Sequence, residues 1–161
     1  MKDKYRTGAK GALLDEYEKA IAELIDCIAS VSDKNLIAVV DETTTDPDCK
    51  SIQAILAHVV RSAYSYAIYI EHLKGGSSVR PEKQYYSLAD EYIKDLNEAF
   101  EFTQGVFNEI KNNELEEFDS AKKISTAWGQ CYDIEQLMEH AIVHILRHRR
   151  QIEKFKILLE N

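Results

Sequence analysis

Four long segments of the chain repeat their apolar residues at alternating steps of three and four. Such spacing places apolar side chains on one stripe of an α-helix and leaves the charged residues on the opposite face. Each segment has roughly 21–27 residues, which corresponds to helices of about 31–40 Å. The pattern predicts an all-α fold, a four-helix bundle with long connections in which residues 1–161 form a single domain. The segments run from about Gly11 to Val31, Ser51 to Leu73, Ser87 to Ile110 and Asp133 to Leu159.

The ends of the segments carry helix start and stop signals. Ser51 is predicted to cap the second helix, and Gly75 with Gly76 to end it. Ser87 and Asp90 have the spacing of a weak capping box at the start of the third helix. The only β-like run, 36–40, is interpreted as the end of the first helix, a short turn or a covering segment. The connections 32–50, 75–86 and 111–132 are long enough to contain short helical turns.

Charge and composition exclude several classes of function. The net charge of −8 argues against broad electrostatic binding of nucleic acid or anionic lipid. No apolar run approaches the roughly 18–20 residues that would span a membrane. Three dispersed cysteines fit neither a disulfide framework nor a zinc ribbon. The start Met1–Arg6 is not followed by a hydrophobic signal core, so a cytoplasmic location is expected.

Histidines supply the main candidate for chemistry. His140, His144 and His148 follow one another at steps of four in the last segment, and a pair four apart can direct two imidazoles at one metal ion. A third imidazole would have to come from the second segment, at His58 or His72. Three imidazoles leave open positions, as catalytic or substrate-binding metals do. The alternative is that the histidines are core residues, each satisfied by a hydrogen bond.

Two motifs resemble those of the DinB-like family of small four-helix bundles. The segment 140–152 is similar to a family pattern of roughly H-x-x-x-H-x-x-x-H-R-G-Q-I, with Arg150 in the place of the glycine. The segment 51–58 is similar to the family's second-helix motif, in which a Ser-Ile or Ser-Val opening is followed seven residues later by a histidine. Both motifs lie on the expected helices, and four long helices in this order cover nearly the whole chain.

The resemblance implies one divalent metal ion bound by His58, His144 and His148. Zinc or nickel is the expected metal, with iron or copper as alternatives. His140 matches a position that is usually not a ligand, and His72 is expected to face solvent or the helix C-terminus. Because His58 lies beside the apolar stripe of its helix, the site is expected at the edge of the core, open toward a cleft.

The resemblance also implies a reaction. Some relatives are similar to thiol-dependent transferases, so the first hypothesis is a metal-dependent transferase that uses a small-molecule thiol against an electrophile. The second is a metal-binding accessory protein without turnover, and the third is a structural bundle without metal chemistry. Related bundles often form dimers, which makes a homodimer a further expectation. No residue is identified as a general base.

Other polar and aromatic features receive structural interpretations. The acidic loop is expected to be solvated, and Trp128 to cover the end of the bundle or to line a pocket. The basic cluster of the last segment is interpreted as a solvated or ion-paired face, with an alternative in which one arginine holds an anionic substrate. The acidic loop comprises Asp41, Glu42, Asp46 and Asp48, and the basic cluster Arg147, Arg149 and Arg150.

Overall fold

A computed structural model of the protein describes residues 5–160 and shows an all-α fold. The expectation about export lies partly outside the described residues, because it rests on Met1–Lys4. None of the described helices is long and apolar enough to cross a membrane. The helices within 5–160 are α1 (Gly8–Ile28), α2 (Asp33–Ile37), α3 (Ile52–Leu73), α4 (Ala89–Asn108) and α5 (Ile134–Glu160).

The four long helices enclose one apolar core. Each contacts two others, since α1 packs against α4 and α5, and α3 packs against the same two helices. The predicted apolar stripes are buried along almost their whole length and lose contact with the core only at the ends. Leu73 and Leu88, at the ends of their stripes, are exposed. The stripe positions are therefore the residues that drive the packing of the helices.

The structure confirms the predicted start and end signals of the second long helix and contradicts the predicted cap of the third. The Ser51 hydroxyl accepts a hydrogen bond from the Ala54 amide at 3.0 Å, and Gly75 has the positive φ of 84° that favours glycine after a helix. The prediction of a cap at Ser87 is wrong, because α4 begins at Ala89 with Leu88 in the capping position and no side-chain cap. Instead, two acidic residues in its first turn, Asp90 and Glu91, stabilise the helix by their interaction with the positive end of its dipole.

An unpredicted capping box starts α5. The Asp133 carboxylate accepts from the Gln136 amide at 2.8 Å, while the Gln136 side-chain oxygen accepts from the Asp133 amide at 3.1 Å. The two orphan amides at the helix start are thus satisfied reciprocally. The cap fixes where the helix that carries three histidines begins.

Two of the three connections contain the short helical turns that the sequence allowed for, whereas 75–86 contains none. Residues 29–51 form α2 and a 3₁₀ helix (Pro47–Cys49), and an isolated bridge pairs Val39 with Ser51. Residues 109–133 form two further 3₁₀ helices and an antiparallel hairpin of β1 (Ile124–Ser125) and β2 (Cys131–Tyr132). The hairpin was not predicted, because strands of two residues carry no periodic signal.

Candidate metal centre

The structure brings together His58, His144 and His148. His58 extends from the second turn of α3, and the two others from successive turns of α5, which packs against it. One ring nitrogen from each lies within 4.8 Å of the others, and the Nε2 atoms of His58 and His144 are 2.9 Å apart. Nitrogen ligands around one tetrahedral zinc ion lie about 3.3 Å apart, given metal–nitrogen bonds of about 2.0–2.1 Å. The three residues are therefore close enough to hold a metal ion.

The imidazole of His58 is oriented by a carboxylate from the preceding connection. Its Nδ1 lies 3.1 Å from an Asp48 carboxylate oxygen, and the other oxygen of Asp48 pairs with the ammonium of Lys83. Asp48 belongs to the 3₁₀ helix 47–49, whose first turn is capped by the Asp46 carboxylate at 2.9 Å from the Asp48 amide. The expectation of a wholly solvated acidic loop is therefore wrong for Asp48. A carboxylate on Nδ1 makes that nitrogen the donor and leaves Nε2 with a free lone pair.

The imidazole of His148 is oriented in the same way by a neighbour on its own helix. Its Nδ1 lies 3.1 Å from the Gln151 side-chain oxygen, which can only accept, so Nδ1 carries the proton. The Nε2 of His148 is buried and has no hydrogen-bond partner among the described residues. Leaving a buried acceptor unpaired costs about 1–3 kcal/mol. A cation between the lone pairs of His58 and His148 would remove this cost.

His144 is as deeply buried as His148. It is 5% exposed, and its Nε2 faces His58 while its Nδ1 is buried without a partner within residues 5–160. Burial lowers the pKa of His144 to about 2, with His148 as the next cause, and burial lowers the pKa of His148 to about 4. Burial also lowers the pKa of His58, against the opposing effect of Asp48. All three imidazoles are therefore neutral near pH 7, which is the protonation state that binds metals.

The other two histidines lie outside the cluster, as predicted. His140 stacks on Trp128, with ring centroids 5.5 Å apart and an interplanar angle of 20°, and its Nδ1 is 3.4 Å from the Tyr132 hydroxyl. His72 is exposed near the end of α3, with its Nε2 2.9 Å from the Ser78 carbonyl oxygen. His140 thus packs against an aromatic cluster, and His72 ties the connection to the helix end.

The three histidines form part of the wall of an open cleft of about 790 Å³. His58 provides the most accessible edge, since its side chain is 28% exposed while His144 and His148 are each 5% exposed. Trp128 lines this cleft and is 44% exposed, so it forms a pocket wall. The histidines therefore lie at the edge of the core beside a cleft, where the sequence leads us to expect the metal site. The volume of the cleft falls within the range of small-molecule sites.

Sequence reasoning missed the groups that orient the ligands. Gln151 follows His148 by three residues in a predicted helix, so its position one turn away was readable from spacing. Asp48 and Lys83 come from two separate connections, and only the folded chain brings them to His58. No spacing in the sequence could have assigned them.

No protein-family model matches the chain, and no curated protein sequence is significantly similar to it.

Proposed function

We propose that the protein binds one divalent metal ion through His58, His144 and His148. The observation that carries this proposal is the convergence of three imidazoles, two of which, His58 and His148, donate from Nδ1 to an acceptor and so keep the lone pair on Nε2. An imidazole that donates from one nitrogen and keeps a lone pair on the other is typical of metal-ligating histidines. Zinc or nickel suits such a set of ligands, with iron or copper as alternatives.

The arrangement of the long helices supports a DinB-like four-helix bundle. His58 lies on one helix and His144 with His148 on the last, as the motif resemblance implies. We therefore infer that the chain shares the metal chemistry of that family. A divalent ion on three neutral imidazoles lowers the pKa of a thiol or a water at its remaining position.

The reaction that fits this site best is the transfer of a small-molecule thiol to an electrophile. A sulfur–carbon bond forms, the bond to the leaving group breaks with its electron pair, and the thiol proton passes to solvent. The cleft admits both reactants, and the Tyr66 hydroxyl in its wall, which hydrogen-bonds with Ser62, can donate a hydrogen bond to them. Burial raises the pKa of Tyr66 to about 12, so this phenol stays protonated and acts as a donor rather than as a base.

A metal-binding accessory protein without turnover is the second candidate. One observation favours this candidate. The carboxylate of Asp48 beside the histidines pairs with both His58 and Lys83, so it is not available as a general base. A structural bundle without metal chemistry is the third candidate, and it offers no partner for the buried His148 Nε2.

Metal analysis and cobalt spectroscopy separate these functions. Protein purified without a nickel column should contain close to one zinc, nickel, iron or copper ion per chain. The cobalt-loaded protein should have a visible spectrum that shifts on addition of 2-mercaptoethanol. Turnover of that thiol with 1-chloro-2,4-dinitrobenzene then distinguishes a transferase from an accessory protein. Protein that binds no metal at micromolar concentrations would refute the proposal.

A further inference from the structure

The cleft beside the three histidines is positively charged although the whole chain is negative. Six cationic side chains line the cleft and only two carboxylates, Asp46 and Asp48, while the whole chain carries a net charge of −8. The cations come from three parts of the chain, since one lies on α3, two on the connection 74–88 and three on α5. They are Arg61, Arg80, Lys83, Arg147, Arg150 and Lys154.

Most of these cations have no carboxylate partner. Of the six cleft cations, only Lys83 forms a salt bridge with another of residues 5–160, namely Asp48. Arg61 donates to the Pro81 carbonyl at 3.3 Å, and Arg80 to the Tyr69 hydroxyl at 3.4 Å, so both retain their full charge against neutral partners. In an acidic protein, surface arginines have many carboxylates available, and five cations that avoid them in one cleft point to an anionic ligand.

The three cations of α5 form one row beside the metal ligands. Arg147, Arg150 and Lys154 are separated by three and four residues, so they share a face of the helix with each other. Arg147 precedes His148 by one residue and lines the same cleft as His144 and His148, so this guanidinium lies beside the cluster. A ligand of a few atoms can therefore reach the histidines and the row at once.

We infer that the site binds a small molecule that carries two or more negative charges, as carboxylates or phosphate, held by Arg147, Arg150 and Lys154 while its thiol occupies the metal. This inference rests on the proposed metal site for the position of the thiol. Binding of the anionic groups of the ligand depends only on the row of cations and not on the metal. The cleft volume of about 790 Å³ suits a small molecule better than a polymer.

Paired thiols test the charge preference independently of the metal proposal. Cobalt-loaded protein is titrated at low salt with mercaptosuccinate, which has two carboxylates, and with neutral 2-mercaptoethanol, and the visible spectrum reports thiol binding. We expect mercaptosuccinate to bind at least about tenfold more tightly, the effect of one good charge-assisted contact. Equal affinities with a clear spectral shift would overturn the anion inference and leave the metal site standing.

Arginine variants locate the preference in the cleft. Arg147→Gln with Arg150→Gln should reduce the advantage of mercaptosuccinate to about twofold or less, and Lys154→Gln should reduce it less. Arg149→Gln is the matched control, because Arg149 lies on the same turn but pairs with Glu23 on α1 and does not line the cleft. A loss in Arg149→Gln as large as in the cleft variants would show a general charge effect and refute the inference.

Metal-free protein completes the test. Trp128 is the only tryptophan of the chain and lines the cleft, so its fluorescence reports occupancy without a metal. Succinate or inorganic phosphate should change that fluorescence in wild type and not in the double variant Arg147→Gln, Arg150→Gln, and the anion that binds more tightly identifies the preferred group.

Binding of neither anion would refute the inference. Anion binding together with a silent cobalt spectrum would refute the metal proposal alone. A single-stranded oligonucleotide that binds more tightly than both anions would overturn the assignment to a small molecule.

Discussion

Each imidazole of the candidate centre has a different means of support. His58 is held by a carboxylate from a distant connection, His148 by an amide on its own helix, and His144 by burial and by contact with His58 Nε2. A carboxylate strengthens an imidazole ligand because it stabilises the positive charge that coordination draws onto the ring. His58 is therefore the ligand whose affinity depends most on a second residue.

Replacement of Asp48 tests this support. Asp48→Ala should weaken zinc binding by about 10–100-fold, because His58 loses both its orientation and its charge partner. The affinity is measured by competition with a chromogenic chelator. Asp41→Ala is the control, since Asp41 is an acid of the same connection that bonds to Thr43 and Thr44 instead of a histidine. Equal affinities for Asp48→Ala and wild type would show that the 3.1 Å contact does not orient a ligand.

The histidines of α5 should differ in their effect on metal content. His144→Ala and His148→Ala should each reduce the bound metal sharply, whereas His140→Ala should stay near one ion per chain because His140 packs on Trp128. Inductively coupled plasma mass spectrometry on purified variants gives the stoichiometry. Equal losses from all three replacements would contradict the assignment of the ligands.

The helices explain why some of the architecture could be predicted. Apolar residues at steps of three and four on α1, α3, α4 and α5 report one buried face each, so sequence alone located all four helices. The one-turn spacing of the α5 histidines could be read from the sequence, whereas the choice of His144 and His148 as ligands came from the motif resemblance. The start of α4 and the hairpin could not be predicted, because their signals involve one or two residues and depend on tertiary contacts.

The cap of α3 links local structure to the site. Ser51 is buried and holds the Ala54 amide at 3.0 Å, two turns before His58. Ser51→Ala should lower the free energy of unfolding by about 1 kcal/mol, or the melting temperature by about 2–4 °C. Ser32→Ala is the matched control, since Ser32 caps the five-residue α2 through a longer bond of 3.3 Å. A smaller loss of stability in Ser51→Ala than in Ser32→Ala, measured by thermal unfolding, would contradict this account of the cap.

The charge of the cleft is opposite in sign to the net charge of the whole molecule. A chain with a net charge of −8 gathers six cations around one cleft, and it does so by joining α3, α5 and the connection 74–88 there. The net charge argues against broad electrostatic binding of nucleic acid or lipid surfaces, but it carries no information about this local reversal of sign. The reversal arises because residues far apart in sequence meet only when the helices pack. Local charge is therefore a property of the fold, whereas the net charge is a property of the composition.

The stability of the metal-free molecule should depend on pH through the buried histidines. Burial lowers the pKa of His148 to about 4 and that of His144 to about 2, below the ordinary value of about 6.5 that applies to the unfolded chain. Below pH 6.5 the unfolded state therefore binds more protons than the folded state, and each histidine removes about 1.4 kcal/mol of stability per pH unit. The loss of stability continues down to about pH 4 for His148 and further for His144.

Urea unfolding between pH 7.5 and about 4.5 measures the dependence of the unfolding free energy on pH. His144→Gln should flatten this slope, because it removes one of the two buried imidazoles. An unchanged slope in His144→Gln would mean that other groups control the pH dependence.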